Sequence, residues 1–426
     1  MLGRSEIVGA VDFGSREVRV VIARKDEDGT VQVVGHGIAP GRGCVSQGVI
    51  QDLQAAKMAL KRALTEAERS ARIKVMGLFC GINGRNVETF LREGHVKLEE
   101  EIVEQSHMDD ALDIASRDVL EAGKRIVSSV AAQEWYVDDL RVIDPVGISG
   151  HVLKTRIHFA RIPAVIEDNI VRCIESQRRE LEDIIFLPLA SSLGCLTPED
   201  RELGVAVLDM GRMTTGLAVF RDRRILGTHT FEWGGYHLTR DVAAGIHVSF
   251  EEADELIMEY GICEEYIAAD GDDAKLMRTP RRGTRAQIKL KTAVHGAPAV
   301  VEKDEMDIIV YERARELMMK VRQHLQSRGL AKHLIRGVVL TGGSANVKNH
   351  VKLAEMIFKV PCRIGVPSSV EILPSRAKGP DFSGVVGIAL HGFDFRAAAR
   401  AGRLGFRGPV VQNARKIGQV FRKYFF

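Results

Sequence analysis

Three short stretches of this chain carry residue types suited to holding phosphate: Asp12-Phe13-Gly14-Ser15-Arg16, Asp209-Met210-Gly211-Arg212-Met213-Thr214-Thr215 and Thr341-Gly342-Gly343-Ser344. Each follows a short apolar run that reads as a strand. Glycine in such a turn permits φ > 0 and lets a ligand come close to the backbone. Successive turn amides can then point N–H groups at anionic oxygens. The acids that open the first two turns, Asp12 and Asp209, could hold hydrated Mg²⁺ between them. A single Asp-Gly turn is an ordinary hairpin feature. Three such turns, in this order and widely separated, point to a nucleotide-cleft architecture.

The elements that must position these turns can be read from periodicity. Ile7 to Val11 and Val18 to Ala23 read as a hairpin around the first turn, and Val205 to Leu208 with Gly216 to Phe220 repeat the pattern around the second. The repetition suggests an internal duplication of a βαβ-rich half, an α/β class. Helices are expected over Asp52 to Arg69, Met108 to Val119, Ala164 to Ile174, Tyr236 to Ala244, Phe250 to Tyr260 and Met306 to Gln326. Strands are expected over Lys74 to Ile82, Ile157 to Phe159 and Gly337 to Leu340. Asn83 to Val96 changes character, with polar and apolar residues mixed. Gly271 to Ala286 reads as a polar, basic loop, and regular periodicity is lost from Phe395 until a final helix.

Composition bounds the function. The chain has 426 residues, enough for two or three domains, and its 45% hydrophobic and 27% charged residues exclude fibrous and wholly disordered classes. The N-terminus is too short and polar for a signal peptide, and no run of 18 apolar residues is present. The six cysteines form no CxxC pair, which speaks against a zinc site and a disulfide framework. Neither Ser46 nor Ser192 sits in a nucleophile elbow. His107, His151 and His158 lack metal-ligand spacing, and His237 reads as structural. Trp135 and Trp233 read as packing residues without a basic context, and Glu99-Glu100-Glu101 as a solvated helix start. The formal charge of +3 conceals an asymmetry. From Arg396 onward there are eight Lys or Arg and no Asp or Glu, which leaves the body near −5.

The end of the chain is the second chemical signal. Pro409 can open a helix. Beyond it Ile417, Val420, Phe421, Tyr424 and Phe425 fall on one face, with Arg415, Lys416, Arg422 and Lys423 around it. An apolar stripe with a basic rim suits an anionic membrane surface, each basic group contributing about 1 kcal/mol. A helix docked on its own core and a nucleic-acid tail are the competing readings. The aromatic content and acid-free flank favour the membrane, and no nucleic-acid partner is expected.

Further motifs run along nearly the whole chain: Gly48-Val49-Ile50-Gln51-Asp52-Leu53, Gln133-Glu134-Trp135-Tyr136-Val137-Asp138, Asp144-Pro145-Val146-Gly147-Ile148-Ser149-Gly150, Gly234-Gly235-Tyr236-His237-Leu238-Thr239 and Leu340-Thr341-Gly342-Gly343. Together with the tail they make the sequence resemble the FtsA family of bacterial cell-division proteins, within the actin/Hsp70-type ATPase superfamily. The resemblance implies a two-lobed actin-like fold of duplicated ribonuclease-H-like domains with a small inserted α+β domain. The implied layout is lobe 1 over 1–82 and 161–203, the insertion over 83–160 and lobe 2 over 204–394. The nucleotide-side part of lobe 2 falls at about 236–320, with a linker over 395–408 and a membrane helix over 409–426. It also implies ATP and Mg²⁺ in the cleft, and self-assembly. The implied partners are the C-terminal peptide of the tubulin-like protein FtsZ on lobe 2, later division proteins on the insertion, and the cytoplasmic face of the inner membrane at the division site.

The departures from that family fall on the chemistry. Glu17 stands where a phosphate-holding Lys is usual, with Arg16 beside it. Arg212 and Met213 replace two glycines, each costing about 1 kcal/mol if the turn requires φ > 0 there. Asp254 keeps an acid on the purine-side helix, but Ile257 takes the place of a Lys. Two readings stay open: ATP held weakly or in a shifted pose, or a pseudo-actin whose lobes are joined by side chains, with Arg212 pairing Glu17. The function expected is a tethering adaptor. An ATPase whose cycle controls filament assembly is the alternative, and a small-molecule kinase of the superfamily the remote one. No residue stands out as a general base.

Overall fold

A computed structural model of the chain describes residues 5–41, 43–99, 102–117, 119, 121–268, 286–291 and 300–400. The final helix, and all of the basic loop but Ala286, lie outside the described residues. Lobe 1 opens with β1 (Glu6–Phe13) and β2 (Glu17–Lys25), an antiparallel hairpin around the first turn, followed by β3 (Val31–Pro40). A small ribbon of β4 (Val45–Ser46) and β5 (Val49–Ile50) leads to α1 (Leu53–Ala71). Asp52 caps this helix by accepting from the Gln54 and Ala55 amides. The buried face of α1 is Ala56, Ala59, Leu60, Ala63, Leu64 and Ala67, and its alanines let it lie close on β3. A Cβ at Gly37 would stand 1.9 Å from the Ala63 carbonyl oxygen. Next comes β6 (Gly77–Ile82), parallel to β1.

The insertion follows as β7 (Glu88–Lys97), α2 (Gln105–Ser116), β8 (Lys124–Val137), β9 (Leu140–Val142) and β10 (Val152–Pro163), with sheet order β7-β10-β8-β9. It has its own core, with Trp135 buried beside Leu98, Val103, Met108 and Leu153. Its helix is capped by Glu104. This helix begins at Gln105, six residues after Glu99, and Glu100 and Glu101 of the acidic run lie outside the described residues. The chain returns to lobe 1 through α3 (Ala164–Glu175), β11 (Glu180–Phe186) and α4 (Leu187–Cys195). Lobe 1's sheet then runs β11-β6-β1-β2-β3.

After α5 (Pro198–Leu203), lobe 2 repeats the plan with β12 (Val205–Met210), β13 (Thr215–Arg221) and β14 (Arg224–Phe231). The helices α6 (Gly235–Gly245), α7 (Phe250–Tyr260) and α8 (Glu264–Ala268) follow. The ribbon β15 (Gln287–Lys289) and β16 (Val300–Glu302) leads into α9 (Lys303–Ser327), then β17 (Val338–Thr341), α10 (His350–Phe358) and β18 (Cys362–Ile364). The sheet order β14-β13-β12-β17-β18 reproduces lobe 1, an antiparallel trio followed by two parallel strands. This is the duplication suggested by the two Asp-x-Gly turns. Alternation divides the β12–β13 hairpin between two cores. Val205, Val207, Ala218 and Phe220 face the lobe 1 cluster, while Ala206, Leu208, Leu217 and Val219 face that of lobe 2.

The last described element, α11 (Ser383–Arg400), corrects two expectations. It packs with lobe 1, not lobe 2: Val385, Val386, Ile388, Ala389, Leu390 and Phe393 lie in the lobe 1 cluster. It also continues past Phe395, where a linker was expected. Arg396 pairs with Glu182 and Arg400 with Glu6, 2.6 Å away. These two arginines thus belong to the body, and 401–426 retains six Lys or Arg without an acid.

The insertion is braced on lobe 2. Arg224 Nη1 donates to Glu134 Oε1 at 2.9 Å, His158 Nε2 lies 2.8 Å from Thr228 Oγ1, and Thr230 Oγ1 donates to Asn83 Oδ1 at 2.7 Å. Burial lowers the His158 pKa to about 4, so its imidazole is neutral at physiological pH. No helix among the described residues is long and apolar enough to cross a membrane.

Candidate functional site

The three turns converge on a cleft between the lobes of about 700 Å³. Asp12, Gly14, Ser15 and Arg16 line it from the β1–β2 turn, and Asp209, Gly211, Arg212 and Thr214 from the β12–β13 turn. Gly342, Gly343 and Ser344 come from the turn after β17, and Asp254 from α7. Thr215 is the exception. It points away in β13 and donates to the Trp233 carbonyl at 2.7 Å. Ser344 Oγ donates to the Gly211 carbonyl at 2.9 Å, tying the third turn to the second. Gly342 has φ +83°, and a Cβ there would meet Asp209 Oδ1 at 2.5 Å, so the position is closed to other residues. Neither Arg212 nor Met213 has positive φ. The turn thus carries both side chains without the penalty that would apply to a left-handed backbone.

The paired acids sit in a setting that disfavours two charges. Burial lifts the Asp12 pKa to about 6, Arg19 opposes the rise and the nearby Asp209 adds to it. Asp209 is raised by burial, countered by its hydrogen bond from Ser191 Oγ at 2.7 Å and by Arg19. Among the described residues no cluster of three or more His, Cys, Asp or Glu is placed to hold a metal. A cation here would rest on these two carboxylates, with water or phosphate oxygens completing its shell.

The arginines depart from the sequence expectation. Arg212 does not pair with Glu17. Its Nη1 lies 2.9 Å from Asp254 Oδ2, with the guanidinium over the Tyr236 ring, 5.6 Å from the centroid. Arg16, from lobe 1, reaches the same carboxylate oxygen at 3.8 Å, and Thr239 Oγ1 donates to Oδ1. Glu17 is instead engaged by Arg19, 2.7 Å away, which also holds Asp381 at 3.2 Å. Glu17 therefore lines the cleft as a paired carboxylate, its charge offset by Arg19. Trp233 also differs from expectation: Lys320 and Arg313 lie 4.3 and 4.8 Å from its ring, and His237 stacks on it. That basic context comes from α9, with Arg313 and Lys320 80 and 87 residues along the chain.

The residues present fit a nucleotide. Gly14 and Gly211 let the first two turns close tightly, since a Cβ would stand 2.7 Å from the Glu17 carbonyl oxygen and 2.9 Å from the Thr214 carbonyl oxygen, and both line the cleft with bare backbone. His350 also lines the cleft. Its Nδ1 lies 3.0 Å from the Ser344 carbonyl, its pKa is lowered by burial to about 4, and its buried Nε2 has no hydrogen-bond partner. Arg19, Ser191, Thr239, His350 and Asp381 also belong to the site, though the sequence did not single them out. Only Arg19 had a readable signal, because residues i and i+2 share a face of a strand and Glu17 is its neighbour.

Comparison with known proteins bears on the whole molecule. The family model described as "Cell division protein FtsA" matches residues 206–387, and "SHS2 domain inserted in FTSA" matches residues 84–160. Cell division protein FtsA of Pseudomonas aeruginosa is 30% identical over 387 residues, covering 91% of this chain and 89% of that protein. The Agrobacterium fabrum protein of the same name is 26% identical over 427 residues, covering 98% of this chain and 94% of its own. Among solved structures, the PilM-PilN type IV pilus biogenesis complex has a chain similar at TM-score 0.63 and 15% identity, covering 90% of this chain and 98% of that one. MreB5 of Spiroplasma citri bound to ADP is similar at TM-score 0.52 and 13% identity, covering 94% and 99%. The fold is actin-like, with an SHS2 domain inserted in lobe 1.

Proposed function

This chain belongs to the FtsA family of cell-division proteins, and from that premise we propose that it is a tether of the division machinery. In this reading residues 409–426 bind the anionic cytoplasmic face of the inner membrane, and lobe 2 takes the C-terminal peptide of FtsZ. The actin-like body self-associates, and the insertion receives later division proteins. The observation that carries the reading is the asymmetry at the end of α11. Arg396 and Arg400 are committed to acids of lobe 1, while the 26 residues beyond keep six basic groups and no acid. A short helix of this kind binds weakly alone, so self-association would supply the avidity. The cleft takes ATP with Mg²⁺: the three turns and Arg16 hold the phosphates, and Asp12 and Asp209 hold the cation. Tethering needs no bond to be broken.

The test is co-sedimentation with vesicles of phosphatidylglycerol and phosphatidylethanolamine. Truncation after Arg400 is expected to lower binding at least tenfold while leaving thermal unfolding unchanged, because it spares both arginine pairs. Unchanged sedimentation would remove the membrane half of the proposal. Calorimetric titration with the C-terminal FtsZ peptide addresses the other half, and the truncated chain should bind it as the full chain does.

A further inference from the structure

The arginines of the cleft already hold an anion, and that anion is part of the protein. Asp254 is 7% exposed and accepts from Thr239. Its Oδ2 faces both Arg212, at 2.9 Å, and Arg16, at 3.8 Å. These arginines project from the two turns whose backbones form the phosphate cradle, one from each lobe. A carboxylate and a phosphate oxygen present the same chemistry to a guanidinium fork.

We propose that Asp254 is a built-in competitor for the phosphate ligand of this cleft, so that a nucleoside di- or triphosphate binds by exchange, its phosphate oxygens taking Arg212 and Arg16 from Asp254. The proposal rests on the nucleotide reading of the cleft given above. Thr239 makes the exchange feasible, since its hydroxyl continues to donate to Asp254 after the arginines leave. Tyr236 guides it, because its ring lies under the Arg212 guanidinium and limits the directions in which that group can swing. Arg16 gives it a mechanical side. Its contact with Asp254 joins lobe 1 to lobe 2, so a phosphate that captures Arg16 replaces a protein–protein tie with one through the ligand. The same arrangement explains how a chain with Glu17 at the usual lysine position retains positive charge for phosphate: the charge is present but held in reserve.

The test is calorimetric titration of the full chain with ADP, pyrophosphate and adenosine, each with Mg²⁺ and with EDTA. Asp254→Asn keeps the acceptor for Thr239 and removes the competing charge. It is expected to tighten ADP and pyrophosphate at least tenfold and to give adenosine no comparable gain. The gain should vanish in Arg212→Met/Asp254→Asn. Unchanged or weaker ADP binding by a folded Asp254→Asn would overturn the proposal, as would an equal gain for adenosine, which would mean that the substitution merely opens space. Arg16→Met, at a side chain 48% exposed, gives a second variant not expected to disturb folding. It should weaken ADP and pyrophosphate about tenfold, and unchanged binding counts against the exchange. If neither the full chain nor any variant binds these ligands at millimolar concentration, the exchange is wrong, while the vesicle and FtsZ-peptide measurements still judge the tether independently.

Discussion

Asp12→Asn is expected to stabilise the protein by about 2 kcal/mol at pH 7 in EDTA, and by almost nothing at about pH 3. The Asp12 carboxyl titrates near 3.8 when unfolded and at about 6 when folded, raised first by burial. The folded state therefore binds more protons than the unfolded state between these values, and stability falls as pH rises through the window. Below about pH 3 the group is neutral in both states and contributes no penalty. Above pH 6 the whole penalty is present, about 3 kcal/mol from the shift, reduced to about 2 because the residue keeps some contact with cleft water. Asparagine preserves the shape and cannot ionise. Asp209, also raised, contributes a slope of the same sign that survives in the variant. The measurement is chemical unfolding of both proteins at about pH 3, 4, 5, 6 and 7. A variant no more stable than the parent at pH 7, or an advantage that persists at about pH 3, would contradict the assignment. Added Mg²⁺ should narrow the difference if the cation rests between the two carboxylates, because only the parent keeps both.

Glu134→Ala should loosen the insertion from lobe 2, at a cost of about 3 kcal/mol. Glu134 is 4% exposed and lies among Arg224, Arg156 and the hydroxyl of Tyr136. Removing it leaves that hydroxyl without this acceptor and two guanidinium groups with less compensation. The figure sits at the low end for a broken buried pair because Arg224 keeps Asp222 and Arg156 keeps Glu93. In a protein of several domains this loss is best read locally. Amide hydrogen exchange in β14 and at the end of β8 should accelerate by about a hundredfold, with little change in α1. Glu134→Gln, which can still accept from Tyr136, should show less than half the effect in free energy. Exchange in β14 that stays at the parent rate would mean that Glu134 does not brace the insertion.

The backbone plan was legible because it is local. Asp12 with Gly14 and Asp209 with Gly211 mark two hairpins, and apolar alternation on either side of each predicts the strands. The change in composition at Asn83 marks where another domain enters. The side-chain arrangement in the cleft was not legible, because it is set by residues remote in sequence. Arg212 finds Asp254 across 42 residues, and Arg19 finds Asp381 across 362. The expected Arg212–Glu17 pair matched two residues that each depart from the family pattern, but Glu17 had a cationic partner two positions along its own strand. The extent of α11 was missed for another reason. A helix buried on most sides has no polar face to give periodicity, and its last turn is held by Arg396 and Arg400, which look like tail residues until Glu182 and Glu6 are seen beside them.

That last turn decides how the molecule bears load. A pull on residues 401–426 enters the body at Arg400, at the exit of a helix wedged along α4 and β1. A Cβ at Gly387 would stand 1.7 Å from the Ala190 carbonyl oxygen, so the contact with α4 is close enough to resist sliding. Force directed along the axis of α11 is spread in shear over this whole contact, whereas a sideways pull would peel it one turn at a time, beginning with the Arg400–Glu6 and Arg396–Glu182 clasps. The root of the tail is thus strong in one direction and weak in another, and the orientation of the body on a surface would determine which of the two it meets.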